Sequence, residues 1–234
     1  KNGAMVKIDI SNNGLYSYGA KAIATALKGN TVMTELNIAT NNICKLHKYG
    51  YRDLSGISAI VEAISTMEAL VKFDISNNDL CATGTKMIAE VLEGNQIMTE
   101  LKIASNRLGE DIQRGRKCFC MSGINAISSA IPTMGALVSA DLIDNNIGVE
   151  QAHTLASILK EHATLKSLCG NKGDETVLDM NGKKMGADGA IMLAPEIVAN
   201  RALVKVNISA SGIASKEAGK ALAEMLKTKT VLKE

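Results

Sequence analysis

The sequence predicts an α/β solenoid: one domain of about seven strand-plus-helix repeats, stacked into a curved parallel sheet with helices on the convex face. Three observations predict it. An eleven-residue apolar pattern recurs along the whole of the 234-residue chain. Within each copy the apolar period changes from that of a strand to that of a helix. The core is also forced to be aliphatic, because 46% of the residues are hydrophobic but only 3% are aromatic, with no Trp, two Phe and four Tyr. A fixed period decides the fold because one such unit cannot bury its own apolar face, whereas stacked units share a continuous core.

The first copy, Met5–Leu15, reads MVKIDISNNGL. It returns as MTELNIATNNI at Met33–Ile43, LVKFDISNNDL at Leu70–Leu80, MTELKIASNRL at Met98–Leu108 and LVSADLIDNNI at Leu137–Ile147. Two weaker copies follow. LKSLCGNKG at Leu165–Gly173 keeps only the opening, and LVKVNISASGI at Leu203–Ile213 keeps all but the Asn. The starts at 5, 33, 70, 98, 137, 165 and 203 make a 28-residue unit alternate with the same unit carrying about ten more residues. In the first copy Ile8 and Ile10 alternate with polar neighbours, as in a strand with one buried face. In YGAKAIATALKGN, Ala20, Ile23, Ala24 and Leu27 recur at helical spacing, and Gly29 stands where a helix end favours positive φ. TKMIAEVLEGN repeats the device with Met87, Ile88, Val91, Leu92 and Gly94.

The template L-x-x-L-x-L-x-x-N-x-L, with Met, Ile, Val, Phe or Ala standing in for Leu, resembles that of the leucine-rich repeat family. The 28-residue period is similar to its ribonuclease-inhibitor-like class, and the resemblance covers essentially the whole chain. Asn13, Asn41, Asn78, Asn106 and Asn145 share one template position. The resemblance implies that they form a structural column satisfying buried main-chain groups where the chain leaves each strand. The column breaks at Gly173 and Ser211, which puts the least regular part of the sheet on the C-terminal side. Ile10, Ile38, Ile75, Ile103 and Leu142 share another phase and are expected to form a buried row.

Composition and motifs exclude several functions. With 26 basic and 24 acidic residues, the net charge of +2 gives no electrostatic basis for nucleic-acid or membrane-surface binding. No apolar run approaches the ~18 residues of a transmembrane helix, and the N-terminal KNGAMVKIDIS lacks the apolar core of a signal peptide. Five cysteines, odd in number and irregularly spaced, favour free thiols and a cytoplasmic setting. No phosphate-binding loop, dinucleotide fingerprint, zinc-protease helix or nucleophile elbow is present, so neither an enzyme nor a catalytic residue is expected. Cys118, Cys120 and His47 lack a second ligand pair, so no metal or other cofactor is expected. His162, closing the helical stretch LASILKEH, is expected to offset the helix dipole. Neither end carries a capping module, so residues 1–234 read as a segment of a longer array, or as a unit that buries its ends by end-to-end self-association.

Function is therefore sought on two surfaces. On the concave face the outward column Lys7, Glu35, Lys72, Glu100 pairs opposite charges across neighbouring strands and reads as a self-neutralising ladder. The insertions differ. Cys44–Asp53 reads CKLHKYGYRD and Glu110–Cys120 reads EDIQRGRKCFC, both at a strand-to-helix junction and so on one rim. Lys48, Tyr49, Tyr51, Arg52, Arg114, Arg116, Lys117 and Phe119 make this a basic, aromatic, flexible rim and the candidate partner-binding surface, since binding residues concentrate in loops on rigid scaffolds. The third insertion, centred on Asp174, Glu175 and Asp179, is charge-balanced. The reading is a non-catalytic protein–protein interaction scaffold or adaptor with a protein partner of unknown identity and no membrane association. The alternative is a regulator of an enzyme, similar to ribonuclease inhibitor or to the Ran GTPase-activating protein. Cysteine richness with concave aromatics is expected of the former and an acidic tail of the latter, and neither feature is present. RNA stacking on Tyr49, Tyr51 and Phe119 is a third and weaker reading.

Overall fold

The computed structural model describes residues 5–45, 52–113 and 116–229. Short strands alternate with helices: β1 (Lys7–Asp9), α1 (Tyr16–Leu27), β2 (Glu35–Asn37), α2 (Ser55–Ile64), β3 (Lys72–Asp74), α3 (Cys81–Leu92) and β4 (Glu100–Lys102). A ribbon of β5 (Glu110–Gln113) and β6 (Arg116–Phe119) follows, then α4 (Ser122–Ala130), β7 (Ser139–Asp141), α5 (Val149–Glu161), β8 (Val177–Asp179), α6 (Gly186–Ala199), β9 (Lys205–Asn207) and α7 (Lys216–Thr228). β1, β2, β3, β4 and β7 form one parallel sheet in chain order. Each helix thus returns the chain by one strand position.

The register aligns template positions. Lys7, Glu35, Lys72, Glu100 and Ser139 stand opposite one another, as do Ile8, Leu36, Phe73, Leu101 and Ala140. Ile38, Ile75, Ile103 and Leu142 are at most 1% exposed, whereas Ile10, on the edge strand unit, is only half-buried. The strands are three residues long because the chain leaves them through left-handed residues. Asn12, Thr40, Asn77, Ser105 and Asp144 have φ between 54° and 59°, a region that short polar side chains tolerate best.

Between these bends lies the asparagine column. Asn41 Nδ2 donates to Ile38 O of its own unit at 3.0 Å and to Ile10 O of the preceding unit at 2.9 Å. Its Oδ1 accepts the Asn13 N–H at 2.9 Å. Asn78 and Asn106 repeat the arrangement, and Asn106 N–H in turn donates to Asn145 Oδ1 at 2.7 Å. Asn41, Asn78, Asn106 and Asn145 are all 0% exposed, while Asn13 lies open at the edge. On the convex side the helices pair closely at glycine. A Cβ on Gly56 of α2 would lie 2.6 Å from Ser17 Cα of α1, and one on Gly123 of α4 would lie 2.7 Å from Ala82 Cα of α3. Short and long units therefore pack as pairs, which is the structural counterpart of the alternating period.

One sequence expectation is corrected. The residues read as a third insertion into one unit begin a unit of their own: Asp179 lies in β8, which pairs in parallel with β9. The unit restarts at Glu175, with Leu178, Met180 and Met185 buried at template positions. Charged Glu175 and Lys183 stand where Leu and Asn are expected, and this hides the match in the sequence. Ser167–Cys169 meets β7 only through bridges at Ser139 and Asp141 and has no helix of its own before β8. α6 fills the resulting break with two carboxylates. Asp188 Oδ2 accepts the Ile147 N–H at 2.9 Å, the role that Asn41 Oδ1 plays for Leu15 and Asn78 Oδ1 for Ile43. Glu196 accepts from Leu168 N–H (2.6 Å), Cys169 N–H (3.0 Å), Ser167 Oγ (2.8 Å) and Asn171 Nδ2 (2.8 Å). Nearby, Ser211 Oγ donates to Met180 O at 2.7 Å in place of the missing Asn amide.

Two outcomes follow for stability. Asn106→Ala leaves the carbonyls of Ile75, Ile103 and Ala104 and the N–H groups of Asn78 and Leu80 without its side chain. It is expected to cost on the order of 3 kcal/mol in urea melts, against less than about 1 kcal/mol for the exposed Asn13→Ala. Burial pushes the Glu196 carboxyl up to about 7, overriding the donors that hold it ionised. A folded value above the ordinary 4.5 gives stability that is full below the ordinary value and lost as pH rises through the folded one. Unfolding free energy is expected to fall by about 2 kcal/mol from about pH 5 to about pH 8, and Glu196→Gln removes that slope; a pH-independent parent contradicts it.

Candidate functional site

The rim where strands pass into helices carries the candidate surface. The second insertion is a hydrogen-bonded ribbon rather than an open loop, with Glu110 opposite Phe119 and Gln113 opposite Arg116. Its base is fastened to neighbouring units: Asn146 Nδ2 donates to Glu110 Oε1 at 2.6 Å, and Thr83 Oγ1 of α3 donates to Asp111 Oδ2 at 2.6 Å. Cys118 Sγ donates to Asp111 O at 3.5 Å, and Cys120 N–H to Gly109 O at 2.9 Å. Both acidic side chains of β5 are thereby held by neighbouring units. Lys117 keeps a loose contact to Glu110, 3.8 Å away, while its own side chain remains 61% exposed. Phe119 is 84% exposed. Because side chains alternate along a strand, Lys117 and Phe119 share one face of the ribbon and Arg116 lies on the other.

Arg52 sits differently from the expectation. Its Nη1 donates to Cys44 O at 3.1 Å and also to Asp79 O, so the half-buried guanidinium ties the end of the first insertion to the third unit. It is a structural clasp, not an outward contact, because two carbonyls at unit ends meet there and need a donor. Asp53 beside it accepts from Ser55 N–H at 3.0 Å and from Ser17 Oγ. These hydrogen bonds hold its carboxyl down at about 2. Lys48, Tyr49, Tyr51, Arg114 and His47 lie outside the described residues.

The rim also carries aromatic residues outside the insertions. Tyr16 and Tyr18 open α1 on the same rim, 48% and 85% exposed, and Lys45 Nζ lies 5.7 Å from the Tyr16 ring centroid. Their signal was positional: both fall at the strand-to-helix junction, but in a unit without an insertion.

The concave face is occupied by its own charges. Lys7–Glu35 is 2.8 Å, Lys72 lies 3.8 Å from Glu35 and 3.4 Å from Glu100, and Lys102–Glu100 is 2.9 Å. The Lys7 hydrogen bond holds the Glu35 carboxyl below its ordinary value. Solvent screens such exposed pairs, so the ladder neutralises the face more than it stabilises it.

The five cysteines are free thiols. Burial pushes Cys44 and Cys81 up to about 12, although Arg52 pulls the other way. His162 corrects an expectation: its Nδ1 accepts the Leu165 N–H at 3.1 Å, so the ring closes the following turn instead of donating to the helix end. Among the described residues no group of three or more His, Cys, Asp or Glu is placed to hold a metal, and no helix is long and apolar enough to cross a membrane.

No family model matches the chain. Solved structures similar to it include the following two. The tropomodulin C-terminal domain of Caenorhabditis elegans is 14% identical with a TM-score of 0.41, over 91% of this chain and 92% of that one. The leucine-rich repeat-containing protein LegL7 of Legionella pneumophila is 18% identical with a TM-score of 0.48, over 96% of this chain and 72% of that one. The assignment of a leucine-rich repeat solenoid is carried by this chain's own strand register and asparagine column.

The role of Arg52 yields a check. Arg52→Ala strips the donor from two carbonyls and is expected to cost ~1–3 kcal/mol, a melting shift of several degrees. Unchanged melting would place the side chain on the surface instead.

Proposed function

We propose that this chain is a non-catalytic protein-interaction scaffold or adaptor that holds a protein partner at its rim. The observation that carries the reading is the contrast between the two faces. On the concave face Lys7, Lys72 and Lys102 pair with Glu35 and Glu100, and no aromatic side chain stands at the outward positions of β1 to β4 or β7. On the rim, Phe119 and Tyr18 are both more than four-fifths exposed on anchored elements. Exposed aromatics flanked by Lys and Arg are the side chains that carry interface energy. Free cysteines suit a reducing, cytoplasmic setting.

Proteins captured from an extract of the source cell by the parent are to be compared with those captured by Tyr18→Ala plus Phe119→Ala, and by Lys72→Ala plus Asp74→Ala plus Lys102→Ala. Truncating the rim anchors is expected to weaken the parent's captures by about 2 kcal/mol or more, roughly thirtyfold, with the concave variant unchanged. Loss in the concave variant alone assigns binding to the other face.

A further inference from the structure

We infer that the outer edge of β6 takes an extended, acidic segment of the partner protein as an added strand. This rests on the rim reading above and names the chemistry of its partner. β6 pairs with β5 alone among the described strands, and β5 in turn lies against α3. The main-chain bond from Cys120 N–H to Gly109 O fixes the phase of the ladder. In an antiparallel pair, bonded and non-bonded residue pairs alternate, so Asp111–Cys118 and Gln113–Arg116 are the bonded pairs. Lys117 and Phe119 therefore turn their N–H and C=O groups away from β5, and among the described residues no main-chain bond is made to these groups from outside the ribbon. Such an edge is a template for strand addition.

Charge selects the occupant. The insertion carries Arg114, Arg116 and Lys117 against Glu110 and Asp111, and Glu110 is held by Asn146 and Asp111 by Thr83 while Arg116 and Lys117 are exposed. An added strand would place one residue opposite Lys117 and another opposite Arg116, on opposite faces, and carboxylates suit both positions. Two residues past the first of these it meets Phe119, where an apolar side chain fits. A second copy of this chain is a poor occupant, because pairing β6 with β6 gathers four cations on one ribbon.

The probe is a fluorescein-labelled peptide with the central sequence Val-Ser-Glu-Glu-Ser-Val, which reads the same in both strand directions. Its controls are the Lys-Lys counterpart and a form with both glutamate amides N-methylated. Fluorescence polarisation with the whole chain is expected to show the Glu peptide binding about tenfold tighter than the Lys peptide, as two opposite-charge cross-strand pairs supply. The N-methylated form is expected to lose binding, and Arg116→Glu plus Lys117→Glu to invert the charge preference. Equal binding of the N-methylated form, no preference by charge, or no binding overturns the strand-addition proposal. So does a parent dimer in sedimentation that the charge reversal dissolves. If the peptide fails while the rim variant still loses its captured proteins, only strand addition falls; if the rim variant captures like the parent, the rim reading falls with it.

Discussion

The structure depends on the satisfaction of main-chain groups where each strand ends. A three-residue strand followed by left-handed bends leaves carbonyls and N–H groups that no regular element can pair, and burying them unpaired is costly. Asparagine solves this in one side chain, with two donors for the carbonyls of its own and the preceding unit and one acceptor for the N–H groups of that preceding unit. Because each buried side chain of the column also bonds across a unit boundary, each repeat completes its neighbour. The buried Ile and Leu rows then follow, since the bends place their side chains in phase.

The C-terminal part shows what happens when the device is missing. Gly173 and Lys183 offer no amide, and the sheet breaks between Ser167–Cys169 and β8. Asp188 and Glu196, both on α6, take over the N–H groups left at the break. A carboxylate accepts on both oxygens but donates nothing, so it replaces only half of what Asn supplies. Burying Glu196 also ties this stretch to proton concentration near neutrality.

The repeat, the strand phase, the concave ladder and the asparagine column were legible in the sequence because each is a periodic demand of the backbone. The restart at Glu175 was not, since the positions that define the template carry Glu and Lys there while the structure supplies the lost contacts from a helix. The inward turn of Arg52 was equally hidden: its partners are carbonyls of Cys44 and Asp79, and main-chain acceptors leave no mark on composition. Phe119 and Lys117 were legible as candidates, whereas Tyr16 and Tyr18 were masked by their place in a regular unit. That the second insertion is a ribbon with one open edge follows from its register and from the ties at Glu110 and Asp111, none of which a charge count reveals.

The rim and the solenoid thus divide their work: the column keeps the units in register, and the anchored ribbon and α1 present side chains from that rigid edge. Native-state hydrogen exchange tests the central claim most directly. If the asparagine column holds the units together, the amides of Asn41, Asn78 and Asn106 exchange only at the free energy of global unfolding, and the amides of residues 170–176, at the break, exchange by smaller openings. Fast exchange at Asn78 and Asn106, with uniform protection across the break, would contradict the account.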